Sequence, residues 1–235
     1  MFSNERCYVC LSDVVSRITW ETLLYTDQKQ TICESCQSKL VQIEGETCFK
    51  CSRSLRKLAK EYIDHGMCAD CQRWEKDPAW KGVLDQNHSF YEYNDFLQEL
   101  LAKFKYRGDY ALAEIFSEKI RQFIKTVDYD VIIPIPLSEE RLQERGFNQT
   151  EALLQVANLP YKVLLKRTHS EKQSKKTRQE RLQNAAVFEM TETLPAKKIL
   201  LLDDIYTTGS TLHHAAKVLK LAGAEKVISI TIARG

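Results

Sequence analysis

A chain of 235 residues has room for one ordinary α/β domain and a small accessory unit. With 43% hydrophobic and 28% charged residues and a mean hydropathy of −0.39, it can bury a core, which excludes a disordered or collagen-like chain. The formal charge is only +2, and residues 1–76 carry eleven basic against eleven acidic side chains, so any attraction to nucleic acid must come from a local patch. The longest apolar runs, VIIPIPL from Val131, ILLL from Ile199 and VISITIA from Val227, fall far short of the ~20 residues that cross a bilayer. The opening MFSNERCYVC lacks the apolar stretch of a signal peptide, and a cytoplasmic location is expected.

All eight cysteines lie in residues 7 to 71 and all form CxxC pairs: Cys7/Cys10, Cys33/Cys36, Cys48/Cys51 and Cys68/Cys71. A CxxC turn brings two sulfurs onto one tight knuckle, and two knuckles complete the tetrahedron of thiolates that Zn²⁺ prefers. Four knuckles therefore predict two zinc sites. Both are structural, because four thiolates leave no open position for chemistry. Disulfides do not suit a cytosolic chain, and a thioredoxin-like pair should open a helix within an α/β unit. Sequential pairing of the knuckles and cross-bracing are both open; sequential pairing closes the shorter loops and makes each half its own zinc ribbon. His65 precedes Cys68 by three residues but is not needed once four thiolates are present. The segment has few large apolar residues beyond Trp20, Leu23, Leu24 and Leu40, so metal binding must supply much of its folding free energy.

A boundary is expected in Glu75-Lys76-Asp77-Pro78, dividing a zinc-binding domain at 1–76 from a second domain at 77–235. HSFYEYN from His88 reads as a strand. Asn94 can cap a helix carrying Phe96, Leu97, Leu100, Leu101 and Phe104, with Lys103, Lys105 and Arg107 at its polar end and Gly108 to stop it. Those bases face either solvent or phosphate. A second helix is marked by Leu112, Ile115, Phe116, Ile120 and Phe123, up to about Val127. Strands follow at Val131–Ile133, Tyr161–Leu165, Lys198–Leu202 and Val227–Ile232, separated by helical patterns. That order predicts an α/β fold with a parallel sheet and a ligand crevice at the carboxyl ends of its strands.

The most informative stretch is ILLLDDIYTTGST, Ile199 to Thr211: an apolar strand, two adjacent acids, then a hydroxyl-rich loop opening a helix. Thr207, Thr208, Gly209, Ser210 and Thr211 offer backbone N–H groups and hydroxyls to an anion at a helix N-terminus. Asp203 and Asp204 suit the hydroxyls of a ribose and an associated Mg²⁺ instead. The arrangement resembles the phosphoribosyl pyrophosphate (PRPP) signature of type I phosphoribosyltransferases. The resemblance implies that Asp203 and Asp204 hold the ribose 2- and 3-hydroxyls and that Thr207 to Thr211 grip the 5-phosphate. IPIPLS, Ile133 to Ser138, stands where that family has its pyrophosphate loop, with backbone amides near Leu137 and Ser138 meeting the diphosphate. Arg141 and Arg145 lie just downstream, and Arg145 joins the two acids as a catalytic candidate.

Between Lys166 and Arg181 seven bases, Lys166, Arg167, Lys172, Lys175, Lys176, Arg178 and Arg181, oppose only Glu171 and Glu180. Such a segment is physically suited to closing on pyrophosphate, and nucleic-acid contact or plain solvation are the alternatives. Cysteine knuckles ahead of this domain, RGFNQ after IPIPL, and KQSKKTRQER before DD-TTGST are together similar to the ComFC/GntX family of competence proteins. That resemblance implies a phosphoribosyltransferase-like protein that handles imported single-stranded DNA during natural transformation, alongside competence-machinery proteins. The alternative is an active phosphoribosyltransferase on an unidentified acceptor. The chain ends at Gly235, straight after its last strand, so acceptor recognition would have to come from residues 77 to 110 or from the zinc domain. Tyr91, Tyr93, Phe104 and Tyr106 could stack bases, although alternating aromatics beside a strand more often face a core.

Overall fold

In a computed structural model of the chain, residues 6–14, 30–106, 108–168 and 187–235 are described. Trp20, Leu23, Leu24, Arg107 and the bases from Lys172 to Arg181 lie outside them.

The cysteine-rich part is short of regular structure. Its described residues contain a helical turn at Glu34–Gln37, 3₁₀ turns at Leu55–Lys57 and Lys60–Tyr62, a hairpin of β1 (Ile63–Asp64) with β2 (Met67–Cys68), then helix α1 (Ala69–Lys76). The sheet opens with β3 (Gln86–Glu92), longer by two residues at its start than HSFYEYN suggests. Asn94 caps α2 (Asp95–Tyr106) as expected, its Oδ1 accepting from the Leu97 N–H at 2.9 Å. The second helical pattern begins as a 3₁₀ turn at Tyr110–Ala113 and continues as α3 (Glu114–Ile124). After β4 (Val131–Pro134) come α4 (Glu139–Arg145), capped by Ser138, and α5 (Gln149–Val156), capped by Asn148. Strands β5 (Leu165–Arg167) and β6 (Phe188–Met190) precede β7 (Lys198–Tyr206), α6 (Ser210–Leu221) and β8 (Lys226–Arg234).

Four strands form one parallel sheet in the order β3-β8-β7-β4. Strands buried on both faces need apolar side chains on both, and β7 and β8 supply them as near-continuous runs. Leu200, Leu202, Ile228, Ile230 and Ile232 pack with Leu97, Leu101 and Phe104 of α2, Phe116 and Ile120 of α3, and Leu153 of α5. On the other side Ile199, Leu201 and Val227 pack with Leu212, Ala216 and Leu219 of α6, and with Cys48, Cys51, Cys68 and Cys71. The sheet is thus sandwiched between helices, as the alternation of strand and helix predicts.

Two expectations need correction. Tyr161–Leu165 is not a strand of the parallel sheet: the Lys162 N–H makes a bond to the Ile132 carbonyl at 3.0 Å, and pairing begins only at Leu165, antiparallel to β6 in a separate two-stranded ribbon. Only Leu164 and Leu165 of that run are buried, while Lys162 and Val163 face solvent, so it lacks a second apolar face to enter the sheet. The acids do not stand beyond the end of their strand. Asp203 and Asp204 are residues six and seven of β7, each 7% exposed, because β8 continues to pair alongside as far as Tyr206. Backbone pairing extends past the apolar run, and only the side chains change character.

Candidate functional site

The sulfurs gather in two groups, Cys7/Cys10/Cys33/Cys36 and Cys48/Cys51/Cys68/Cys71, with all ligand atoms of a group within 4.8 Å of one another. The grouping is sequential. A tetrahedron with metal–sulfur arms of about 2.3 Å has edges of about 3.8 Å, and the Cys10–Cys33 and Cys51–Cys68 sulfurs are 3.6 Å apart. The Cys68 N–H also points at the Cys48 sulfur, 3.3 Å away, as a knuckle backbone does. Four sulfurs this close repel one another as thiolates, and a cation between them relieves that repulsion. The donor set fits zinc in both groups, and a closed tetrathiolate zinc supplies folding free energy and no chemistry. His65 is exposed on the hairpin turn, outside the group.

Some 130 residues further on, β7 delivers the acids and turns directly into the loop. Asp203 accepts the N–H of Asp204 at 2.9 Å, and burial together with the Asp204 charge pushes the Asp203 carboxyl well above its ordinary range. Asp204 is met by the ammonium of Lys105, from the last turn of α2. Arg167 is half-buried; burial and the Arg141 charge lower its pKa, while Asp203 counteracts them. Lys105 therefore meets Asp204 and Arg167 feels the charge of Asp203, with Arg141 close enough to affect Arg167, and the cleft is suited to a ligand bearing both hydroxyls and anionic groups.

The loop turns at Gly209, whose φ of +82° belongs to the left-handed region that glycine tolerates. Any Cβ there would overlap the hydroxyl end of the buried Tyr206 ring. Thr207, Thr208 and Ser210 stay exposed around it, and α6 begins at Ser210 with Thr211 in its first turn. The bends at Thr207 to Gly209 thus present backbone and hydroxyls at the N-terminus of a twelve-residue helix.

Across the sheet crevice, Leu137 and Ser138 follow β4 half-buried. The Ser138 hydroxyl accepts the Arg141 N–H at 3.4 Å. The turn before them is fixed by Asn148 and Thr150, whose side chains both donate to the Ile135 carbonyl, at 3.2 and 2.8 Å. Arg145 turns away from α4 to Tyr106: its guanidinium lies 5.0 Å from the ring centroid, and Nη1 donates to Gln149 at 2.9 Å. Of the four aromatics considered for stacking, Tyr91 and Phe104 are core residues, Tyr93 is half-buried, and Tyr106 is 68% exposed.

Behind the loop is a set of residues that motif reading does not single out. Trp74 of α1 donates its indole N–H to the Thr208 carbonyl at 2.9 Å and stacks on His213 at 4.0 Å. Arg234, the last residue of β8 and only 5% exposed, donates to the carbonyls of Tyr206 and Thr207 at 3.1 and 2.8 Å and to the Cys51 sulfur at 3.4 Å. Burial opposes the charge of Arg234, but the adjacent sulfurs outweigh it and hold the guanidinium above its ordinary pKa. A charged residue closing an apolar strand was the one available signal. Lys105 was legible as a base at a helix end, but its acid partner was not.

A phosphoribosyl transferase domain model matches residues 111–235, which span β4, the acid pair and the loop. Competence protein ComFC of Bacillus subtilis (strain 168) is 38% identical over 233 residues, covering 97% of this chain and 94% of that protein. Competence protein ComFC of Streptococcus pneumoniae (strain ATCC BAA-255 / R6) is 32% identical, over 97% of this chain and 100% of that protein. Competence protein F of Haemophilus influenzae (strain ATCC 51907 / DSM 11121 / KW20 / Rd) is 28% identical, over 85% and 88%. With two such relatives spanning both the cysteine groups and the phosphoribosyl transferase domain, the chain belongs to the ComFC family of competence proteins.

Proposed function

We propose that the crevice binds PRPP with Mg²⁺ and that the protein acts in DNA uptake, handling imported single-stranded DNA during natural transformation together with other competence proteins. The observation that carries the PRPP reading is the continuity of a buried acid pair with a hydroxyl-rich turn at the N-terminus of α6. In this reading Thr207, Thr208, Gly209, Ser210 and Thr211 take the 5-phosphate, and Asp203 and Asp204 accept the ribose hydroxyls. Backbone amides near Leu137 and Ser138 meet the diphosphate, aided by Arg141 and Arg167. Mg²⁺ keeps several waters and is held mainly by substrate phosphates, so it needs no dedicated carboxylate cage.

The DNA role follows from the names of the relatives, and two features of this chain support it. Tyr106 with Arg145 offers an exposed aromatic face beside the crevice, able to stack a base. The bases between Lys166 and Arg181 supply a local positive run that the near-neutral whole does not. The division at residue 76 separates the proposed zinc-binding and nucleotide-binding parts.

Isothermal titration with PRPP and Mg²⁺ tests the first reading: one site per chain is expected, and no heat with either PRPP or ribose 5-phosphate would refute it. Pyrophosphate release with candidate bases in the same solutions separates a transferase from a binder. For DNA, Lys175→Gln with Lys176→Gln should weaken single-strand binding and flatten its salt dependence by about 0.7 per lost phosphate contact. An unchanged slope and affinity would remove this segment from the DNA interface.

A further inference from the structure

We propose that Arg234 and Trp74 are positioning residues that hold the phosphate loop from behind, and that through them the second cysteine site is energetically coupled to anion binding in the loop. The proposal rests on the reading above that the loop takes the 5-phosphate of PRPP, and it concerns how the loop is made ready for it.

Three consecutive carbonyls of the loop are engaged on one side. The Tyr206 carbonyl accepts from Arg234 Nη1 at 3.1 Å and from the Gly235 N–H at 3.0 Å. The Thr207 carbonyl accepts from the same Nη1 at 2.8 Å, and the Thr208 carbonyl accepts from the Trp74 indole at 2.9 Å. A trans peptide is planar, with its C=O and the following N–H pointing in opposite directions. Tying back the carbonyls of 206, 207 and 208 therefore turns the N–H groups of Thr207, Thr208 and Gly209 the other way, away from Arg234 and Trp74. Left to itself, an exposed loop of this composition would sample many peptide orientations, and an anion would have to order them on binding.

Both donors are tied to the second cysteine site, one by sequence and one by contact. Trp74 lies three residues after Cys71 on the same helix, its ring fixed against His213 with planes 10° apart. Arg234 reaches the loop with Nη1 while its Nε donates to Cys51, and its guanidinium lies 4.8 Å from the Tyr206 ring centroid. A buried guanidinium needs nearby anions: Asp70 lies 4.0 Å from Nη2, and four thiolates around one zinc would add a net charge of −2 on the Cys51 side. Metal in the site thus fixes Arg234, and Arg234 fixes the loop. Thermodynamic linkage makes this reciprocal, so anion in the loop must also strengthen metal retention.

The experiment uses the full chain loaded with zinc and measures two quantities: PRPP affinity by calorimetry, and zinc release to a chromophoric chelator with and without saturating PRPP–Mg²⁺. In the unsubstituted protein PRPP should slow release of one of the two zinc ions and leave the other unaffected. Arg234→Gln should bind PRPP about tenfold or more weakly and lose the PRPP-dependent protection, while Arg234→Lys, which keeps the charge, recovers part of both. Trp74→Phe keeps a smaller ring on His213, removes the N–H donor, and should weaken PRPP binding several-fold without changing zinc content; it carries the test if Arg234→Gln fails to fold. PRPP binding by the unsubstituted protein with no protection of either zinc, or undiminished PRPP affinity in Trp74→Phe and Arg234→Gln, would overturn the coupling while leaving the PRPP reading intact. Failure of the unsubstituted protein to bind PRPP would overturn both.

Discussion

Replacing Gly209 by alanine adds one methyl group, and two distinct costs follow from where that methyl goes. The first is conformational. At φ +82° an L-residue sits in the left-handed region, at a cost of about 1–2 kcal/mol. The second is steric: the Cβ would overlap Cζ and the hydroxyl of Tyr206, a ring only 2% exposed and therefore unable to swing into solvent. Forcing a methyl into such a packed spot costs about 1–3 kcal/mol through displaced side chains and backbone. Gly82 isolates the two terms, since its φ of +68° is similar but nothing lies within 4 Å of a Cβ built there. The entropy that alanine removes from the unfolded chain is common to both variants and cancels in their difference. Gly209→Ala should therefore be less stable than Gly82→Ala by about 1–3 kcal/mol, or roughly 2–12 °C in melting temperature for a chain of this size. It should also bind PRPP at least about tenfold more weakly, because displacing Tyr206 disturbs the carbonyl that Arg234 holds. Urea denaturation followed by tryptophan fluorescence, with calorimetry on the same preparations, reads both quantities. Equal stability of the two variants, with unimpaired PRPP binding by Gly209→Ala, would refute the packing argument for the loop.

The two acids should respond with opposite signs. Asp203→Asn removes a buried carboxylate whose pKa is raised by burial and by Asp204, a group that costs stability once the pH exceeds its unfolded value, so the melting temperature at pH 7 should rise while PRPP affinity falls about tenfold to hundredfold. Asp204→Asn strands the Lys105 ammonium without its partner and should lower both, and matching melting shifts in the two variants would contradict the pairing. Anaerobically purified protein should contain two zinc ions per chain, with Cys48→Ser losing one of them and unfolding its surroundings; one ion or none in the parent protein would defeat the assignment. His213 has its pKa lowered to about 4, chiefly by burial, so its contribution to stability is complete above about pH 6.5 and is lost as the pH falls toward 4, by up to about 3 kcal/mol. His213→Phe should flatten the pH dependence of unfolding in that window, and an unaltered profile would show that the ring is not held neutral.

What could be read in advance follows the range of the interactions involved. The CxxC spacing and the DD-TTGST run are local, because each is a few residues of backbone presenting side chains to one ligand, and local geometry survives in a linear string. The sheet was legible through β7 and β8 because strands buried on both faces must be apolar throughout. The same rule misjudged Tyr161–Leu165, where apolar residues belong to a ribbon beside the sheet, and it ended β7 at Leu202 although backbone pairing with β8 carries it to Tyr206. Partners separated by about a hundred residues or more left no trace in the string. Lys105 and Asp204, Trp74 and Thr208, and Arg234 and Cys51 meet only because the fold brings α1, α2 and the ends of β7 and β8 to one place.

The cysteine-rich part also does work that composition alone would assign to the larger part. An outer strand of a parallel sheet presents a row of unpaired backbone groups, a template for pairing with another chain unless it is covered. On β3 the cover comes from residues before the proposed boundary: the Phe90 carbonyl accepts from Ile43 at 3.0 Å, the Glu92 N–H donates to Val41 at 2.9 Å, and the Asn87 N–H donates to Lys50 at 2.7 Å. Leu40 enters the same apolar cluster as Phe90 and Phe116, while the second group of cysteines packs with Leu201 and Val227. Order in the short segment is therefore bound up with order in the sheet, through backbone bonds as well as apolar contacts. On the proposal above, zinc bound among the knuckles would hold these residues against β3 and hold Trp74 and Arg234 against the loop. On the same proposal, metal sites with no open coordination position act on whatever the neighbouring crevice binds through the backbone they keep in place.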